Sequence, residues 1–206
     1  MGRRNEHSRE QIKEMAINAG REILENKGFS GLSARKVAGE IGYTVGTLYN
    51  VFDNFTDLIC HINLETLDNM RTYLEGSLKP GQNGTDALIQ LGISYVDFAQ
   101  NNINLWSALF EFQHPVNDNL PAWYSEKVQA IFDLPIKYLV PTFNGDTERA
   151  KYEARLIWGG VHGICLLGLT RRLGFGNEEI LKSKVTSLID NYMRGLESSS
   201  RKAVQI

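Results

Sequence analysis

No stretch of useful length in this sequence alternates apolar and polar residues, whereas apolar side chains recur every three or four positions almost from end to end. That spacing is the helical one, and a chain that lacks a period of two has no pattern from which to build a sheet. The chain is therefore expected to be all-α. It shows no internal repeat of the kind a solenoid requires. With 206 residues, 42% of them hydrophobic and 22% charged, it is long enough for one or two domains with a buried core.

The helical period is broken most sharply in ARKVAGEIGYTVGTLYNVF, residues 34–52. Glycine inside a helix costs roughly 0.5–1 kcal/mol relative to alanine, so Gly42 is expected to stop one helix in the left-handed region rather than to sit within it. Ser33 can cap the helix before the stop, and Leu32, Val37 and Ile41 share one of its faces. Thr44 can cap the helix after it, with Leu48 and Phe52 turned inward. Ala38 is small enough to let the second helix approach. Two short helices wedged around a glycine turn make a helix-turn-helix. At about 100° per residue, the outward face of the second helix carries Gly46 and Asn50, flanked by Thr47 and Tyr49. Gly46 would allow close backbone approach to a major groove, Asn50 could pair with an adenine edge, Thr47 could touch a thymine methyl or a phosphate, and Tyr49 could donate to phosphate. Ser33, Arg35 and Lys36 open the preceding helix where the nucleic-acid backbone would pass, and free amides there favour phosphate. From periodicity alone, a plain helical hairpin with a solvated outer face remains open.

Around this motif, Ser8 and Gln11 form a capping-box pattern for a first helix carrying Ile12, Met15, Ala16, Ala19 and Ile23, which Lys27–Gly28 ends. Asn54 with Asp57 caps a long fourth helix bearing Leu58, Ile59, Ile62, Leu67, Met70 and Leu74. KPGQNGT at 79–85 is a loop and the best boundary after that rod. Beyond it, Leu88, Leu91, Tyr95 and Phe98 repeat helically, NINLWSALFEF continues, and HPVNDNLP breaks. A helix from about Ala122 then runs towards Pro135 or Pro141. Two long helices are expected within 146–172 and 177–196, hinged at GFG. The resulting division is a helix-turn-helix domain over 1–53, a connecting helix over 54–78, a second helical region over 79–196, and a flexible tail over 197–206.

Charge adds little. The formal net charge is −2, and residues 1–52 hold eight Lys and Arg against six Asp and Glu, so the N-terminal end is only slightly the more basic. Two distant cysteines, Cys60 and Cys165, suggest neither a zinc knuckle nor a disulfide framework, and a reduced, cytoplasmic setting fits. The charged start MGRRNEHSREQIKE is unlike a signal peptide, and the longest apolar run, at 157–169, is too short to span a bilayer. No metal, cofactor or membrane is expected. The N-x-T triplets at Asn54 and Asn83 would matter only in a secreted protein.

The pattern LSARKVAGEIGYTVGTLYNVFDNFTDLI strongly resembles the N-terminal DNA-binding domain of TetR-family transcriptional regulators, with a G-T-L-Y-x-x-F core at Gly46, Thr47, Leu48, Tyr49 and Phe52. The resemblance covers about residues 8–60. It implies a three-helix DNA-binding domain, a linking helix, and a larger helical domain that dimerises and usually holds a small-molecule pocket. The DNA-contacting set would be Ser33, Arg35, Lys36, Thr44, Val45, Gly46, Thr47, Tyr49 and Asn50. Val51 and Phe55 stand where the family usually has His or Tyr and Lys, residues that serve phosphate, so Arg3, Arg4, Arg35 and Lys36 become the candidates for that grip.

In the C-terminal region, Trp158, His162 and Gly163 resemble a W-x-x-x-H-G signature of one TetR subgroup. Gly159 and Gly163 lie four apart, where missing side chains would admit another helix, either from the same subunit or from a second copy. The expected dimer set is Trp158, Gly159, His162, Gly163, Leu188 and Tyr192, in a four-helix interface across a two-fold axis. His162 and Cys165 could suggest a metal pair or a Cys-His nucleophile, but neither converging ligands nor an orienting partner accompanies them. The aromatic stretch containing Phe112, Tyr124 and Phe132 could line an apolar effector pocket against the rod, with Leu67, Met70, Leu74, Trp106, Phe110, His114 and Trp123 as its candidate residues. The expected function is that of a homodimeric repressor on a palindromic double-stranded operator, released by a small apolar or amphipathic molecule. A helical interaction protein with a degenerate helix-turn-helix and a helical enzyme using His162 and Cys165 are the alternatives.

Overall fold

The structure is a computed structural model describing residues 7–111, 120–170, 172 and 177–203, with side chains described to residue 198. Among the described residues there are helices and turns and no strand. The helices are α1 (Arg9–Lys27), α2 (Ala34–Glu40), α3 (Val45–Tyr49), α4 (Phe55–Ser77), α5 (Gly84–Asn101), α6 (Ile103–Glu111), α7 (Ala122–Leu139), α8 (Thr147–Leu169) and α9 (Glu178–Ala203). Short 3₁₀ turns, Phe29–Gly31 and Val140–Phe143, follow α1 and α7.

The start signals act as their chemistry requires. Ser8 accepts from the Gln11 N–H and the Gln11 side chain accepts in return from the Ser8 N–H, a complete capping box. Asn54 accepts from the Asp57 N–H at 2.9 Å, Asn83 from the Asp86 N–H at 2.8 Å, and Asp146 from the Arg149 N–H at 3.0 Å, opening α4, α5 and α8. α7 passes through Pro135 and stops at Leu139, just before Pro141, the second of the two stops that the sequence offered. One element differs from the sequence expectation. α9 runs to Ala203, through residues 197–203 expected as tail, because no glycine or proline follows Gly195 to stop it. The GFG hinge lies outside the described residues.

The chain forms two compact units that are not consecutive in sequence: 1–68 with 102–127, and 69–101 with 128–206. The expected boundary at 79 placed α6 and the start of α7 with the regulatory region, whereas these segments belong to the first unit. Apolar faces decide this assignment. Leu105 and Ala108 of α6 join Ile12, Leu24, Val37, Leu48, Phe52 and Ile62 in the first unit's core. Local ties accompany them: Asn104 donates to the Glu25 carbonyl at 2.7 Å and Lys127 pairs with Asp68 at 2.8 Å.

The second unit packs α5, α8 and α9 with the ends of α4 and α7. Its core includes Leu88, Val96, Ala154, Ile157, Leu181, Val185 and Ile189. One charged group is fully inside: Glu153, 1% exposed, which pairs with Arg149 at 2.5 Å and accepts from the Tyr192 hydroxyl. Lys182 of α9 reaches Asp97 of α5 and its own Glu178, each at 2.7 Å.

Candidate nucleic-acid interface and internal cavity

The helix-turn-helix is fixed by short-range bonds. Ser33 accepts from the Lys36 N–H at 3.3 Å, Gly42 stands at φ +75°, and the Tyr43 N–H returns to the Ala38 carbonyl at 2.8 Å. Thr44 then accepts from the Thr47 N–H at 3.2 Å. Leu48 is fully buried and Phe52 nearly so, although Phe52 lies just beyond α3, its N–H held by the Leu48 carbonyl at 2.8 Å. Burying Leu48 turns Gly46, Tyr49 and Asn50 to solvent, with Tyr49 46% exposed. A methyl placed on Gly46 would meet nothing closer than the Thr44 hydroxyl at 3.7 Å, so the fold does not need a glycine there.

The other candidates divide. Arg35 and Thr44 are exposed, Ser33 and Val45 half-buried. The Thr47 hydroxyl bonds that of Thr44 at 3.0 Å, and the Lys36 ammonium donates to the Gly31 carbonyl at 2.7 Å. Both side chains thus already have a partner. Val51 and Phe55 supply packing, Val51 as a buried core residue and Phe55 resting on that core. Arg3 and Arg4 lie outside the described residues.

Elsewhere in the first unit, His61 stacks on Trp123 (4.6 Å between centroids, 17°) and lies 3.5 Å from Asp57. Burial, helped by the nearby Lys13 charge and opposed by Asp57, lowers its pKa. The neighbouring Cys60 thiol is pushed up to about 11 by burial and by Asp57.

The second unit holds a small apolar cavity of about 60 Å³. Leu74 of α4, Leu88, Leu91, Gly92 and Tyr95 of α5, and Ile189 of α9 line one part of it. Ile131, Phe132, Leu134 and Pro135 of α7, with Ala154, Ile157, Trp158 and Val161 of α8, line the rest. Phe132 meets Trp158 edge-on (5.5 Å, 69°), Trp158 stacks on His162 (5.0 Å, 24°), and the Tyr95 hydroxyl bonds His162 Nδ1 at 2.8 Å. Of the expected pocket residues Leu74 is here, and Phe132 joins it from the aromatic stretch. Leu67, Trp106, Phe110 and Trp123 belong to the first unit, Met70 is buried in the second without reaching the cavity, and His114 and Phe112 lie outside the described residues. Among the described residues of the aromatic stretch only Phe132 reaches the cavity, because its tryptophans pack locally: Trp106 against Phe110, and Trp123 against His61 and Tyr124. The lining comes from five helices.

The expected dimer residues also separate into two faces. Trp158 lines the cavity, and His162 packs on two lining residues, Trp158 and Tyr95. Gly159 and Gly163 face open space, with no atom within 4 Å of an added methyl, so they do not pack within the subunit. Their neighbour Gly160 does: a methyl there would lie 2.6 Å from Leu188 Cδ2. Tyr152, Leu156 and Leu166, which are 57%, 46% and 44% exposed, continue the open face along α8 at the spacing of Gly159 and Gly163. Leu188 and Tyr192 are half-buried and, with Ile164, line a shallow surface groove beside it. Cys165 is fully buried and its thiol is pushed up to about 12 by burial, which disfavours the thiolate that a nucleophile needs.

Residues 16–60 match the bacterial regulatory proteins of the tetR family, and residues 88–191, about half of the chain, match the tetracyclin repressor-like C-terminal domain. An uncharacterized HTH-type transcriptional regulator, Rv0681, of Mycobacterium tuberculosis is 26% identical over 163 residues, 79% of this chain and 71% of that protein. A protein of unknown function from Rhodococcus sp. RHA1 has the same fold, with a TM-score of 0.69 at 20% identity over 95% of this chain and all of that one. So does a TetR transcriptional regulator from Rhodococcus sp. RHA1, at TM-score 0.63 and 17% identity over 87% of this chain and 95% of that one.

Proposed function

The chain belongs to the TetR family of transcriptional regulators, DNA-binding proteins and not enzymes, and from that premise we propose a homodimeric repressor that a small apolar or amphipathic molecule releases from a palindromic operator. The observation that carries the DNA half is the α3 face. Leu48 is fully buried, and this leaves Gly46, Tyr49 and Asn50 outward on a helix whose own core does not need them. Such a face fits a major groove, with Asn50 as base reader and Arg35 as phosphate contact.

The dimer half rests on the open stripe of α8. Exposed Tyr152, Leu156 and Leu166 alternate with two glycines that leave room for a second copy's helix. A two-fold dimer presents two copies of α3 to half-sites about 34 Å apart, or a multiple of that. The effector half rests on the cavity, to which α4 contributes Leu74 while its other end lies in the unit of the helix-turn-helix. A ligand that binds one setting of α4 better than another shifts DNA occupancy by that difference alone. Selection of binding sites from random duplex DNA tests the reading. Enrichment of inverted repeats is expected, and failure to retain any duplex at low salt would refute it.

A further inference from the structure

Taking the cavity as the effector site, we infer that its ligand is a small uncharged aromatic molecule with one hydrogen-bond donor, which the backbone carbonyl of Ile131 accepts. Among the described residues no Asp, Glu, Lys or Arg lines the cavity, so an ion entering it would give up water for no counter-charge. Arg155 lies 6.0 Å from the Phe132 ring, but its side chain is exposed and solvated. Burial lowers the His162 pKa, and its Nδ1 is engaged by Tyr95. The flat walls are aromatic, Phe132 and Trp158, and rings prefer stacked or edge-on partners of this kind.

Pro135 supplies the polar element. In an unbroken helix the Ile131 carbonyl would accept from the N–H of residue 135, but proline has none. Ile131 and Pro135 are one turn apart and both line the cavity, so the turn of α7 that borders it is the one whose carbonyl lacks its i+4 helical donor. The same missing bond makes this turn of α7 the wall that yields most easily. Yielding is required, because about 60 Å³ is less than the roughly 150 Å³ that admits a benzene ring elsewhere. A ligand of one or two rings is the size that a modest opening would accept.

Four matched probes test this on the full-length protein by calorimetry and thermal shift: indole, 1-methylindole, indole-3-acetate and tryptamine. Indole should bind about fivefold or more tightly than 1-methylindole, in line with one hydrogen bond, and the two ions should give no saturable signal. Pro135→Ala, which restores an N–H to Ile131, should bring the two neutral indoles to nearly equal affinity. Trp158→Ala should weaken both. Equal affinities in the unaltered protein, a gap that survives Pro135→Ala, preferential binding of either ion, or no saturable binding of the neutral indoles at millimolar concentration would each overturn the inference. Retention of a selected DNA duplex is measured in parallel. Indole binding as expected without DNA release would remove the effector role while leaving the ligand class intact. Release by an ion whose binding requires Trp158 would do the reverse.

Discussion

Between Ser33 and Phe52, the caps and the turn are set by residues close in sequence: Ser33 bonds Lys36, Tyr43 returns to Ala38, and Thr44 bonds Thr47. The cavity of the second unit is assembled in the opposite way, from helices whose contributions range from Leu74 to Ile189. A locally specified motif carries its signature in its own letters and presents a fixed face. A cavity made by the mutual placement of five helices has no signature of its own, and its volume is whatever their packing leaves over. The first suits a readout that must not vary, and the second suits a site that must change shape on binding.

The hardest test of this contrast is Leu48→Ala. Truncating a fully buried leucine should lower unfolding stability by about 2–5 kcal/mol, and because Leu48 sets the α3 face, DNA binding should fall with it. Chemical denaturation and DNA retention would check both. Retained DNA affinity in a protein destabilised by that much would show that the face is held by more than its local core.

Within α8 the contrast runs between adjacent glycines. Gly163→Leu adds a side chain where the subunit has open space, so helix content by circular dichroism should be unchanged. Self-association by sedimentation should weaken at least about tenfold, roughly 1.4 kcal/mol. Gly160→Leu should instead lower the unfolding temperature, because its new side chain meets Leu188 in the same subunit. An unmodified protein that is monomeric at micromolar concentration would remove the dimer reading altogether.

On the α3 face, Asn50→Ala should reduce discrimination between cognate and random duplex by about 1–3 kcal/mol. Arg35→Ala should weaken binding to all sequences and lower the salt slope by about one. Identical effects of the two substitutions on cognate and random DNA would break the division between base and phosphate contacts.

The smallest expected effect compares one histidine from each unit. Burial lowers the pKa of both His61 and His162, so the folded state binds fewer protons than the unfolded chain. Stability should therefore be fully present above about pH 6.5 and decline as pH falls below it. His162→Gln should flatten that decline, and measured denaturation midpoints between pH 7.5 and 5 would show whether it does.

The sequence by itself determined the helical class, the capping residues that open α1 to α4, the glycine turn at Gly42 and the outward face of α3. Each depends on interactions over three to five residues, which letters in order can express. It also marked Gly159 and Gly163 as a gap, without saying which helix would fill it. Only the tertiary structure decided that these two glycines face outward while Gly160 seats Leu188. It likewise decided that α6 joins the first unit and that Trp158, Phe132 and Tyr95 converge on one cavity while Trp106 and Trp123 pack elsewhere. Those outcomes depend on which apolar stripe meets which, and apolar burial is non-directional, so one apolar face can be buried against many different partners. Periodicity therefore names the faces of the helices but not their neighbours, and a cavity exists only once the neighbours are chosen.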